Sequence, residues 1–308
     1  MPSRRDLLRA GATGLIASVA GCTGLLEDKS SQFAIGKSNV PSKWLPWPDK
    51  SEDDPDQNGK GRPPVSFDFV DYEQIRLIRS KIESEVSVTY NPEGVSLPFE
   101  YANFALDFTV QPHVAYGRVL GVTKDRSYFE SQLSKEGTGF AKQGSHAGFT
   151  LFQGTRDVAV GDNHLVFGPK RPTPNSIDRG LKRLLETYTG SALRALSKSE
   201  ALKTGLQRSG KVVSAYGVAS NTYLEVDVDG LLARVSNVIE NNGTTKMLVL
   251  AIFDKEKGTP NESAIQESRN AMATALPWSP QEISFTIEEN IVTFEATMAS
   301  TEYWQAIN

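Results

Sequence analysis

His113, His146 and His164 are the three imidazoles of this 308-residue chain. Gathered by strands they would offer a nitrogen-rich site to Zn or Cu. Their separations of 33 and 18 residues carry no ligand spacing, so histidines on strands or turns are the plainer reading. Glu225, Asp227 and Asp229, followed by Gly230, imitate the start of a calcium loop of the form Asp-x-Asp-x-Asp-Gly. The position that should supply the closing bidentate Glu is Ser236, and Leu224, Val226 and Val228 alternate with the acids as on a half-buried strand. An acidic solvent face is therefore the first reading, and a weak cation site the second. The chain contains no Gly-x-Ser-x-Gly elbow, His-Glu-x-x-His, phosphate loop or strand-positioned Gly-x-Gly-x-x-Gly. Catalytic and cofactor-binding positions stay unassigned, and the cofactor is unknown.

The one cysteine, Cys22, carries a different chemistry. Arg4, Arg5 and Arg9 form a basic leader, and the stretch from Ala10 to Gly21 is apolar and small. That run is 12 residues, against about 20 for an apolar helix that spans a bilayer, so it reads as an export signal. Ser3-Arg4-Arg5-Asp6-Leu7-Leu8 resembles the twin-arginine motif, with Leu7 where the commoner form has Phe. Val19-Ala20-Gly21-Cys22 resembles a lipobox, which implies that the thiol takes a lipid and becomes the new N-terminus. The alternatives are a plain signal peptide with Cys22 as spectator, or an uncleaved anchor. A lipidated Cys22 leaves no thiol for disulfides, metal ligation or nucleophilic attack.

Removing residues 1–21 takes away three Arg and one Asp, leaving 30 basic and 36 acidic residues and a formal charge of −6. A mildly acidic surface argues against nucleic acid, which needs clustered Lys and Arg. Residues 22–64 are rich in Pro, Ser, Gly and charge, the composition of a flexible tether. Trp44 and Trp47 interrupt it; they sit either at a lipid interface or docked on the domain.

From Val65 onward, strand and helix signals alternate. Residues 113–122 read as a strand and 125–137 as a helix, with Ser127 and Glu130 as a capping box. Residues 146–153, 157–160 and 164–168 read as strands, the last two joined tightly through Gly161-Asp162-Asn163. Helical spacing runs from Pro174 to about Arg208, with a stop at Gly190. Residues 246–253 read as a buried strand, Thr259-Pro260-Asn261-Glu262 as a capped helix start, and 282–298 as a hairpin turning at Glu288-Glu289-Asn290. The expected fold is α+β: two β-α-β-β modules, residues 65–210 and 211–308, with antiparallel or mixed sheets, helices on one face, and a ferredoxin-like duplication as the candidate topology. Asn242 and Asn261 open glycosylation sequons.

The leader and lipobox, the polar tether and the order Tyr116-Gly117-Arg118, Phe149-Thr150-Leu151, Asp157-Val158-Ala159-Val160 resemble exported lipoproteins of haloarchaea for which no activity is known. The similarity is strong over residues 1–22 and loose over 110–210, and Ser145-His146-Ala147-Gly148-Phe149 departs from that family's Tyr-Gly-Tyr. The resemblance carries over no catalytic residue. The expected function is a membrane-tethered extracytoplasmic binding or interaction module with a protein or small-solute partner. A cell-envelope hydrolase without a local motif and a structural envelope component are the alternatives.

Overall fold

The computed structural model describes residues 38–47, 65–79, 99–110, 115–170, 179–219, 230–256, 262, 265–266, 269–270 and 282–307. Contacts divide the chain into two compact units, Pro41–Gly59 with Val65–Lys198, and Met1–Val40 with Lys60–Pro64 and Ser199–Asn308. Twelve strands and six α-helices lie among the described residues, and the fold is α+β.

The Val65–Lys198 unit opens with β1 (Val65–Asp71), whose Val65, Phe67 and Phe69 are buried in strict alternation. Its last residue, Asp71, accepts the Gln74 amide at 2.9 Å and so starts helix α1 (Tyr72–Arg79). Strands β2 (Ala102–Val110) and β3 (Ala115–Val122) follow as antiparallel partners. Helix α2 (Arg126–Leu133) precedes β4 (Ala141–His146), β5 (Phe149–Gln153), β6 (Arg156–Val160) and β7 (His164–Lys170). Helix α3 (Arg179–Thr189) and the single turn α4 (Ala195–Lys198) complete the unit. Strand order is β1-β2-β3-β7-β6-β5-β4, and every one of these pairings is antiparallel.

In the register of β2 and β3, Phe104 faces Gly121 and Phe108 faces Gly117. A Cβ at Gly121 would stand 2.3 Å from the Phe104 ring, and one at Gly117 would stand 2.1 Å from the Phe108 ring. Each glycine is the floor on which a cross-strand aromatic lies.

The Ser199–Asn308 unit begins with α5 (Glu200–Ser209), capped by Ser199, whose Oγ accepts the Leu202 amide at 3.1 Å. Strands β8 (Ser214–Ala219), β9 (Leu231–Asn241), β10 (Thr244–Phe253), β11 (Ser284–Glu288) and β12 (Ile291–Ala299) lie in the order β8-β9-β10-β12-β11, antiparallel throughout. Helix α6 (Ser300–Ile307) follows β12. Gly205 lets α5 sit close on the sheet: a Cβ there would be 2.6 Å from Val235 Cγ2 and 3.2 Å from Ile252 Cδ1. Asn242 and Gly243 close the β9–β10 hairpin with φ of 49° and 84°, the left-handed pair that a two-residue turn of this hand requires.

Several expectations change. Helix α2 is capped by Asp125, not by a Ser127–Glu130 box: Asp125 Oδ1 accepts the Tyr128 amide at 2.9 Å and the Ser127 hydroxyl at 2.8 Å. The carboxylate lies one turn ahead of the first apolar residue, where the helix has its unpaired amides. The second unit starts at Ser199 rather than at residue 211, because α5 packs on β9 and β10. Residues 38–47, read as tether, are partly folded: Trp44 and Leu45 are buried. Among the described residues the sequential strands β1-β2-β3 and β8-β9-β10 pair as meanders, with no parallel split of the ferredoxin-like kind. Strands β1, β2, β4, β8 and β9, with α1 and α6, had no counterpart in the sequence reading.

Candidate functional site

In the Val65–Lys198 unit, α3 ends in a Schellman motif. The Gly190 amide donates to Thr187 O at 3.2 Å and the Ser191 amide to Glu186 O at 2.8 Å, with Gly190 at φ 90°. The Arg194 guanidinium caps the same end, donating to Thr187 O at 3.0 Å and Tyr188 O at 2.8 Å. The chain then runs back against residues 41–47: the Trp47 amide donates to Leu193 O at 3.0 Å, the Ala195 amide to Leu45 O at 2.9 Å, and Arg183 to Trp47 O at 2.9 Å.

This clamp seats Trp44 in an aromatic box. Its indole stacks on Tyr188 with centroids 4.0 Å apart and meets Phe149 edge-on at 5.9 Å and His164 at 5.2 Å. Phe104, propped on Gly121, stands 6.1 Å from His164 on the other side. Lys43 Nζ lies 4.2 Å from the Tyr188 ring centroid, a cation–π contact. Burial pushes the His164 imidazole down to about 4, and the nearby Lys43 charge acts in the same direction. At neutral pH His164 is therefore an uncharged, half-buried member of the aromatic box.

Beside the box, a cleft of about 530 Å³ opens at the end of α3, lined by Lys182, Arg183, Glu186 and the 190–193 turn. Glu186 Oε1 is 3.1 Å from His146 Nε2, and both side chains are partly exposed. An ammonium, a guanidinium and a carboxylate thus line one open surface together with Ser191, and the His146 imidazole is paired to that carboxylate. The arrangement can hold a charged or polar guest by paired hydrogen bonds. Elsewhere in the unit, Glu130 accepts from Thr150 Oγ1 at 2.6 Å and Lys142 Nζ at 3.3 Å. The Thr150 hydrogen bond, above all, holds its carboxyl below the ordinary glutamate value, the opposite of what a general acid needs.

The histidines of the sequence reading are separated in role: His146 pairs with Glu186, His164 joins the box, and His113 lies outside the described residues. No group of three or more His, Cys, Asp or Glu gathers in metal-binding geometry among the described residues. Glu225, Asp227 and Asp229 also lie outside them, as do Arg4, Arg5, Cys22 and Asn261. Residues 231–236, which would form the second half of a calcium loop, belong to β9, and Ser236 is buried there. Asn242 stands exposed at the β9–β10 turn. No described helix is long and apolar enough to cross a membrane.

The cleft was invisible in the sequence because Lys182, Arg183 and Glu186 with the 190–193 turn follow no chemical motif. A Gly190 stop followed by Arg194 was the one local signal of a capped, buttressed helix end.

No protein-family profile and no curated protein matches the chain. Among solved structures, crystal form III of TP0453 is similar at a TM-score of 0.44 and 9% identity, covering 79% of this chain and 92% of that one. Crystal form I of TP0453 gives 0.44 and 10%, covering 79% and 91%.

Proposed function

We propose that the protein is an exported, lipid-anchored binding module. The twin-arginine leader at Arg4 and Arg5 directs export, the Cys22 thiol takes the lipid, and the domain faces away from the cytoplasm. The cleft at the end of α3 receives a small charged solute or a peptide segment of a partner. The observation that carries the binding part is the open surface lined by Lys182, Arg183 and Glu186, with His146 paired to Glu186. The location rests on the order of leader, apolar run and cysteine. In each unit three strands form a meander and the last strand pairs with the third, which supports descent of both units from one duplicated ancestor.

Two experiments test the reading. Cell fractionation should place the wild-type chain with membranes and Cys22→Ser in the soluble extracytoplasmic fraction; membrane retention of Cys22→Ser would remove the lipid anchor. A thermal-unfolding screen of the Cys22→Ser chain against amino acids, peptides and sugars should give a saturable rise with one class. A ligand at 100 times its Kd adds about 2.7 kcal/mol, several degrees for a domain of this size. Glu186→Ala should abolish the rise, and no shift with any class, or an equal one in Glu186→Ala, would sink the cleft as the binding site.

A further inference from the structure

In the Ser199–Asn308 unit Arg234 is 2% exposed, and none of its three guanidinium nitrogens has a hydrogen-bond partner among the described residues. Arginine keeps its charge throughout the physiological range, and an isolated buried charge is among the most destabilising features a core can hold. Burial pushes even this guanidinium down to about 10, with Tyr216 the opposing influence.

The surroundings have a pattern. Across the antiparallel register, Arg234 is flanked by Val218 and Ala251, with Val292 beyond. The next row on the same face is Tyr216, Ser236, Val249 and Phe294. Ser236 Oγ is buried and also lacks a partner among the described residues. Helix α5 contacts Val235 and Ile252, so Arg234 and Ser236 point to the opposite face. A charged planar fork and a hydroxyl, two residues apart on one strand, therefore look into apolar surroundings with their donors unused.

We infer that Arg234 and Ser236 form a binding site for an oxyanion head, carboxylate or phosphate, carried on an apolar body. The guanidinium fork matches the two oxygens of such a head, and Ser236 Oγ supplies a third donor. Valine, alanine and phenylalanine side chains around it favour an amphiphile over a hydrated inorganic ion. The site is closed to solvent, so the ligand enters as the chain folds or when this face opens. The inference is independent of the cleft at the end of α3, which belongs to the other unit.

The test uses the full chain with Cys22→Ser, unfolded in urea and refolded with sodium octanoate, sodium acetate or inorganic phosphate, then followed by thermal unfolding. Octanoate should raise the Tm saturably by several degrees, acetate and phosphate by less. Arg234→Met should abolish the shift without lowering the Tm of the ligand-free chain, because the substitution removes an unpaired charge. Arg234→Lys, which keeps the charge and loses the fork, and Ser236→Ala, which keeps the fork, should each weaken the response about tenfold or more in concentration. A rise with phosphate and none with octanoate would keep the oxyanion site and assign it to a small hydrophilic anion. No shift with any probe, or an equal shift in Arg234→Met, would overturn the site. A large loss of ligand-free stability in Arg234→Met would overturn it too, since the guanidinium would then have a structural partner.

Discussion

His164 in the Val65–Lys198 unit, half-buried, and Arg234 in the Ser199–Asn308 unit, fully buried, are both basic groups drawn out of water, and their surroundings treat them differently. His164 is walled by Trp44, Tyr188 and Phe104, and burial takes its charge away at neutral pH. Arg234 is walled by aliphatic neighbours and keeps its charge. An imidazole meets burial by releasing a proton at little cost near pH 7, whereas a guanidinium cannot. The same unit holds a second buried cation, Lys246, whose side chain is 3% exposed and lies 2.7 Å from Glu295 Oε1. One unit thus buries a base by neutralising it, and the other buries bases that call for an anion.

The comparison can be broken most severely at Trp44, the fully buried keystone of the aromatic box. Trp44→Ala should cost about 3–5 kcal/mol, read as a lowered urea midpoint. A loss under 1 kcal/mol would mean that residues 41–47 are a removable flap.

The neutral state of His164 is tested next, by pH. Its folded value of about 4 lies below the unfolded value of about 6.5. Between these values the unfolded chain binds a proton that the folded chain does not. The stability it contributes is complete above about pH 6.5 and is lost as pH falls towards 4. The loss should reach about 3 kcal/mol. Urea midpoints between pH 7.5 and 4 should follow that slope in the wild type and flatten in His164→Gln; equal slopes in both would contradict a neutral imidazole.

On the other side of the comparison, Lys246→Met removes one partner of the buried pair and leaves Glu295, which still reaches solvent. The expected cost is about 1–2 kcal/mol, and adding Glu295→Leu should return most of it. A double variant no better than the single one would show that the pair is not the unit of cost. The smallest effect belongs to the cap of α5: Ser199→Ala should lose about 1 kcal/mol, measured by the same denaturation, with the sheet's own core unaltered.

Legibility followed locality. The β11–β12 hairpin was readable because Glu288, Glu289 and Asn290 separate two alternating runs, and the structure turns there with Glu289 at φ 52°. Strand β10 was readable from an unbroken apolar run. Strand β4 was not, because Ala141–His146 is polar and almost wholly exposed and is held by pairing with β5 rather than by burying a face. Strand β9 was masked by Arg234, Ser236 and Asn237, polar residues that interrupt the pattern yet are all buried. Glu186 in the cleft and its partner His146 lie forty residues apart in the chain, a separation at which spacing says nothing.

By itself the sequence determined the local grammar: the helix stop at Gly190, the hairpin at Glu288-Glu289-Asn290, and the mixture of strand and helix that makes the fold α+β. Those features depend on backbone conformations and apolar periods that neighbouring residues set among themselves. Tertiary structure alone decided which side chains share a wall. It stacked Trp44 on Tyr188 with His164 tilted against it, brought His146 to Glu186, and buried Arg234 without a described partner. Each of those outcomes rests on the register of strands that are distant in sequence, and register is settled by the packing of a whole sheet face rather than by any one segment.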